Sequence, residues 1–306
     1  MLLSLLACIE PDSVPIRLGE VRPVSPTVAL AGPWTSDFGK DPASDLGPLA
    51  VLATDEGVAL LDQENRRILR YDADGTALGA VPIPARATLD AAQDGSGWAL
   101  LAYDPGTIGW SAQRIDGAGA LLGEARVSGA LDAPSGIFVD GDTVLVEQAH
   151  GRTYDVATGA VYPGRPAGDG RYVRAEKEAA DRLVITWSDA GGGAERRSVI
   201  TPDRTLGNVV ALEARGGVTL VTLFLFEEGP APDYEMRDPE LRTVLLDEEG
   251  LRVDEISLPP AAETVINREL ALAADGTLWR MRTHTYDGVA LDRVALQMAS
   301  QKGGGR

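Results

Sequence analysis

Short apolar runs, broken at regular intervals by acid–glycine turns, fill most of this chain. The pattern is clearest between Gly47 and Gly75, GPLAVLATDEGVALLDQENRRILRYDADG. An apolar strand leads to an acidic turn, then a second apolar strand, a polar turn and a third strand ending in Asp-Gly. Later runs such as Val58–Leu61, Trp98–Leu101, Val144–Val146, Leu183–Ile185 and Val218–Val221 are apolar without alternation. Continuous apolarity is expected of strands packed on both faces.

Two interleaved series of turns punctuate these runs. The first is Asp55-Glu56-Gly57, Asp94-Gly95, Asp140-Gly141, Ala180-Asp181, Gly216-Gly217 and Asp275-Gly276. The second is Tyr71–Gly75, Ile115-Asp116-Gly117, Tyr154–Gly159, Ile200–Asp203 and Leu246–Gly250. Members mostly recur every 35 to 47 residues, with one 59-residue step from Gly216 to Asp275. A repeat of about 40 residues with four short strands is the signature of a propeller blade. A lone four-stranded meander cannot bury both faces, whereas stacking blades round an axis covers them. Asp-Gly supplies the positive φ that tight hairpins need. The fold class predicted is all-β, a six-bladed β-propeller of four-stranded antiparallel blades. Six turns of the first series against five of the second leave the last blade one strand short. The spare N-terminal strand, Ile16–Val21, is expected to close the ring three-plus-one, because open sheet edges invite wrong pairing. The organisation expected is a leader over 1–8, closing strand and connector over 9–46, repeats over 47–298 and a polar tail over 299–306.

Gly47-Pro48, Asp55-x-Gly57, Leu61-Asp62, Asn65-Arg66-Arg67-Ile68 and Tyr71-Asp72 with Gly75 resemble an NHL-type propeller blade. That resemblance implies architecture rather than an activity. The opening MLLSLLAC resembles the end of a bacterial lipoprotein signal, with Leu5, Leu6, Ala7 and Cys8 matching its lipobox. It implies that Cys8 is lipidated, and Ile9 in place of Asp resembles the signal for release toward an outer membrane. The apolar stretch is short and carries no upstream Lys or Arg, which a start codon placed too far downstream accounts for. The alternative is an apolar tail with an incidental cysteine.

Composition narrows the partners. Hydrophobic residues make up 44%, enough for a core. Against 46 Asp and Glu stand 28 Lys and Arg, a formal charge of −18. Such an excess repels phosphate backbones, so nucleic acid is not expected as a partner. The single cysteine excludes an internal disulfide. No apolar run reaches the roughly 18 residues that span a bilayer, so membrane contact is expected through the lipid alone.

In a propeller the loops between second and third strands lie on one face, beside the blade-to-blade connectors. This geometry nominates Asp62, Asp104, Glu147, His150, Asp189 and His284 as an alternative ligand face. No Gly-x-Ser-x-Gly elbow, Walker or dinucleotide fingerprint is present. The Asp72–Gly75 stretch lacks the spacing of a calcium loop and reads as a hairpin turn. The long step holds an insertion, Phe224–Tyr234, whose Asp233, Tyr234 and Met236 are candidate partner contacts. Phe224 and Phe226 belong to the core instead if the strand runs through them. The function expected is an envelope-tethered binding or scaffold propeller that engages a protein or polysaccharide and needs no cofactor. The alternative is an enzyme. The similar gluconolactonase family implies a calcium ion at the axis, although its ligand pattern is not found here. The similar streptogramin lyases imply a catalytic histidine, for which His284 is the candidate.

Overall fold

A computed structural model describes residues 13–32 and 48–297, apart from 20, 23, 25, 85–86, 128–133, 194, 232–233, 261–266 and 285–287. Cys8 and Asp233 therefore lie outside the described residues, and of His284 only the backbone is described.

Two N-terminal strands come first, β1 (Ser13–Arg17) and β2 (Thr27–Gly32). Blade 1 consists of β3 (Ala50–Ala53), β4 (Gly57–Asp62), β5 (Arg67–Asp72) and β6 (Ala77–Pro82). Blade 2 follows as β7 (Thr88–Asp94), β8 (Gly97–Asp104), β9 (Gly109–Ile115) and β10 (Leu121–Arg126). Blade 3 is β11 (Pro134–Asp140), β12 (Thr143–Gln148), β13 (Thr153–Asp155) and β14 (Val161–Tyr162). Blade 4 is β15 (Arg165–Gly168), β16 (Arg171–Ala179), β17 (Arg182–Asp189) and β18 (Arg196–Thr201). Blade 5 comprises β19 (Thr205–Arg215), β20 (Val218–Glu228), β21 (Met236–Leu246) and β22 (Arg252–Leu258). Blade 6 takes β23 (Leu270–Leu272), β24 (Thr277–His284) and β25 (Gly288–Ala295) from the C-terminal end. Its fourth strand is β2, antiparallel to β25. The first strands touch in the order β3, β7, β11, β15, β19, β23 and back to β3. The molecule is a six-bladed β-propeller closed three-plus-one by an N-terminal strand.

That strand is Thr27–Gly32 rather than the expected Ile16–Val21. Instead β1 runs parallel to β18 as a fifth strand on the outer edge of blade 4. Its Ile16 and Leu18 enter the core between blades 4 and 5. The chain then crosses the edge of blade 5, where Arg22 bridges Ile256 and its guanidinium holds Asp254 at 2.6 Å. One N-terminal segment thus straps the rims of blades 4, 5 and 6. Both runs are apolar, and the strap uses each.

The second turn series has a common chemistry. Oδ1 of Asp72 accepts from the amides of Asp74 and Thr76 at 2.9 and 2.8 Å. Asp116 does the same for Ala118 and Ala120, and Asp247 for Glu249 and Leu251. Gly75, Gly119 and Gly250 then take the left-handed conformation that closes each turn. Asp72–Gly75 is thus a hairpin turn. Two predicted turns differ. In blade 4 the inner hairpin falls at Asp169-Gly170, so Ala180-Asp181 joins the second and third strands and Ile200–Asp203 leads on to blade 5. Asp169-Gly170 is itself an Asp-Gly turn, and placing the turn at Ala180-Asp181 instead shifts the frame by one strand.

Among the described residues, apolar clusters fill five of the six blade junctions. The junction of blades 3 and 4 is different. Tyr162 stacks on Tyr172 at 4.9 Å, the Tyr172 hydroxyl donates to Asp140, and Ala175 N donates to His150 O. Most of what remains at this seam is charge.

Candidate functional site

Strand direction defines two faces. Inner and outer hairpins form the hairpin face, while second-to-third loops and connectors form the loop face. At the axis between them, side chains from blades 2 to 6 meet in a buried charge cluster. Asp90, fully buried on β7, accepts from Ile137 N of blade 3 at 2.9 Å and from Arg268 of blade 6 at 2.7 Å. Arg268 is aimed by its own backbone, since its carbonyl accepts from Val51 N and its amide donates to Leu49 O, both in or beside blade 1. Glu147, at the end of β12 and fully buried, takes two hydrogen bonds from Arg165 of blade 4, at 2.9 and 2.8 Å. The same guanidinium reaches Glu213 of blade 5 at 3.3 Å. His150 Nδ1 stands 3.3 Å from Arg165 Nη2 and 3.4 Å from Glu147 Oε2. The Phe138 ring holds both guanidinium carbons within cation–π range, Arg165 at 4.4 Å and Arg268 at 5.2 Å.

The electrostatics differ across the cluster. Burial pushes the Asp90 carboxyl up to about 6, with Arg268 only partly opposing it. Burial also acts on Glu147, but Arg165 and His150 outweigh it and hold that carboxyl well below its usual range. Burial lowers the Arg165 guanidinium, and the charges of Glu147 and Glu213 more than restore it. Oδ1 of Asp90 has no hydrogen-bond partner among the described residues.

A cavity of about 440 Å³ opens from this cluster to the hairpin face. Phe138, Glu213 and Arg268 line its inner end, and Leu52, Ala92 and Leu272 stand along its wall. Arg215 of blade 5 crosses toward blade 1 at the mouth, meeting Asp55 Oδ1 at 2.9 Å.

The six acids and histidines nominated from sequence do not converge. Of those whose side chains are described, only Glu147 and His150 join the axial cluster. Asp62 is buried and staples its own loop through Asn65 and Arg67. Asp104 accepts from Gly106 N and Thr107 Oγ1 of the next turn. Asp189 lies on the hairpin face, because the frame of blade 4 is shifted, opposite Arg171 in the β16–β17 ladder. His284 ends β24 on the loop face. No three His, Cys, Asp or Glu side chains among the described residues are grouped to hold a metal. A calcium ion needs six to eight oxygens, and each axial carboxylate faces a guanidinium, so the described donors do not fit one.

The insertion is shorter than expected as a loop. Phe224 and Phe226 lie within β20, their rings 6.0 Å apart over Gly207, and Phe224 packs against the core of blades 5 and 6. Tyr234 and Met236 are 61% and 60% exposed on the loop face. Ile108, which the sequence reading passes over, is 82% exposed on the same face in blade 2. A β-branched residue between two apolar strands gives no sign of its conformation in sequence. Seven non-glycine residues among those described have positive φ; five of them, Arg66, Ile108, Ala149, His150 and Tyr234, stand at second-to-third loops of the loop face, and Asp238 lies near the start of β21 beside one of these loops.

The class these features define is a six-bladed β-propeller with a charged axis. No family model matches the chain, and no curated protein matches it significantly. Solved structures do. The hydrazine synthase of Kuenenia stuttgartiensis is similar at 16% identity and TM-score 0.50, over 79% of this chain and 76% of that one. A Bacteroides fragilis protein provisionally described as exported is similar at 8% identity and TM-score 0.50, over 94% and 99%. A streptogramin B lyase is matched at 12% identity and TM-score 0.44, over 85% and 97%. At these identities the likeness is one of fold.

Proposed function

We propose that this protein is a non-enzymatic binding propeller of the bacterial envelope, tethered by a lipid on Cys8, that engages a protein or polysaccharide through its loop face. One observation carries the reading. On the hairpin face, turns that need a left-handed residue use glycine, as at Gly95, Gly141 and Gly276, with Asp169 the exception among the described residues. On the loop face, Gly288 at the start of β25 apart, the described ones use residues with side chains, at a cost of about 1–3 kcal/mol each. Ile108 and Tyr234 bear that cost while exposing their apolar side chains to solvent. Neither is repaid by burial in the chain itself, so the return is expected from contact with something else. They stand on blades 2 and 5, opposite each other across the ring, so a partner touching both covers the axis. The fold shared with the Bacteroides fragilis chain agrees with an exported setting.

The test is recovery of partners from envelope extract and from a polysaccharide array, comparing the parent with an Ile108→Gly, Tyr234→Ser, Met236→Ser variant. Loss of a partner by a variant that melts like the parent supports the loop face. Equal recovery by both overturns it. Fatty-acid labelling of a Cys8→Ser variant tests the tether, and retained label sinks it.

A further inference from the structure

The axial cavity and the charge at its end have a consequence independent of the loop face. The cluster holds three carboxyl groups, Asp90, Glu147 and Glu213, against two guanidiniums, Arg165 and Arg268. Glu147 is matched by a bidentate Arg165, and Asp90 is held by Arg268 on one oxygen only. Glu213 keeps only the 3.3 Å contact that Arg165 shares with Glu147, and a 4.0 Å approach to Arg268. It is the carboxylate that lines the cavity. The mouth does not supply the missing positive charge. Arg215 is bonded to Asp55, and Asp140 on the rim meets only a tyrosine hydroxyl. The Asp90 oxygen without a partner is buried in the same cluster, on the strand whose Ala91 and Ala92 line the cavity. Leu52, Ala92, Val139 and Leu272 give part of the wall an apolar surface among these polar groups. A cavity of about 440 Å³ falls in the size range of small-molecule sites.

We propose that the axial cavity binds a protonated organic amine, with its apolar body against the cavity wall and its ammonium group on Glu213. An anion would meet an excess of carboxylates, and a neutral apolar molecule would leave Glu213 unmatched. A small inorganic cation would find no group of three ligands among the described residues. An ammonium on an apolar body satisfies both the charge and the walls. The Arg215–Asp55 pair at the mouth is exposed on the Asp55 side, and exposed pairs of this kind add little stability, so it yields readily to an entering ligand. The ammonium can come from a free amine or from a lysine side chain of another molecule, and the probes distinguish these.

The experiment is isothermal titration of the full chain at pH 7.5 and fixed ionic strength. The probes are 2-phenylethylamine, the neutral 2-phenylethanol, and a short capped peptide with a single lysine. Expected is one amine per chain, with the alcohol at least about tenfold weaker, as loss of a charge-assisted hydrogen bond implies. Tighter binding of the peptide than of the free amine assigns the ammonium to a macromolecular lysine. Glu213→Gln, which can still accept from Arg165, should weaken the amine by about 10–100-fold. Ala92→Phe, which leaves every charge in place but narrows the cavity, should also abolish binding. The amine should raise the melting temperature of the parent and of neither variant. No binding of either cationic probe to the parent overturns the proposal. So does equal binding of amine and alcohol, or parent-like binding by both variants.

Discussion

Replacing Arg165 with Met probes the seam between blades 3 and 4 directly. Methionine keeps an apolar stem of similar length, so little packing is lost with the charge. What disappears is countable. Glu147 loses hydrogen bonds of 2.9 and 2.8 Å, Glu213 loses one of 3.3 Å, and Phe138 loses a guanidinium at 4.4 Å. Removing one partner of a buried pair costs about 3–5 kcal/mol, because the other charge stays buried and unmatched. A cation–π contact adds about 0.5–2 kcal/mol. We expect a loss of about 4 kcal/mol, a large part of the roughly 5–15 kcal/mol that holds a domain together. Urea unfolding followed by fluorescence of the buried Trp98, Trp187 and Trp279 reads it out. The pH dependence supplies a sharper check. In the parent, Glu147 is held low, so its contribution is present above its ordinary range and lost as pH falls below it. Without Arg165, burial acts with less opposition and raises that carboxyl, so the sign reverses. The variant should recover part of its deficit as pH falls from 7 to 5. Arg165→Lys, which keeps the charge without the fork, should fall between the two. A deficit under about 1 kcal/mol, or one that is flat with pH, would refute the account of this seam as an ionic junction.

Three further outcomes follow from the fold. Truncation through residue 19 removes β1 and should leave a folded ring of reduced stability, whereas truncation through residue 32 also removes β2 and should abolish cooperative melting. Equal melting of the two truncations would disprove the assignment of β2 as the closing strand. Burial raises Asp90 above its unfolded value, so ionising it costs the fold stability as pH rises from about 4 to 6. A shift of that size corresponds to at most about 3 kcal/mol, and an Asp90→Asn variant should lose this slope in pH-dependent urea titrations. Ile108→Gly removes a left-handed β-branched residue with no buried contact to lose, and should raise stability by up to about 1 kcal/mol in the same assay. A destabilised glycine variant would show that the Ile108 side chain supports the fold.

The repeat was legible because its turns are chemical. An aspartate that caps two amides, followed by a glycine with positive φ, leaves the same mark at residues 72, 116 and 247. Blade 4 carries an Asp-Gly turn at Asp169-Gly170, between β15 and β16, and taking Ala180-Asp181 for it shifts the frame by a strand. The closing strand was hidden because Thr27–Gly32 sits in a Pro- and Ser-rich stretch whose composition resembles a connector, while Ile16–Val21 looks equally strand-like. The axial cluster escaped because its members are far apart in sequence and charged residues are ordinarily solvated. A signal was present nonetheless. Leu89-Asp90-Ala91-Ala92 and Leu212-Glu213-Ala214 each place an acid inside an apolar first strand, where a solvated face is not available. Glu147 and His150, candidate ligand groups by sequence, stand as partners of Arg165.

The strap across blades 4 to 6 also sets a schedule for synthesis. Val28 pairs with Asp292, so the outer strand of the last blade leaves the ribosome long before the strand it must join. At about 5–20 residues per second the intervening chain takes roughly 13–50 s to make. Through that interval Thr27–Gly32 has no native neighbour, and β1 finds its own partner, β18, well before. Pairing of β1 with blade 4 can therefore park the N-terminal segment on the growing ring and hold β2 beside the place where blade 6 will form. The fifth strand then acts as a molecular placeholder, shortening the search that the last closure requires.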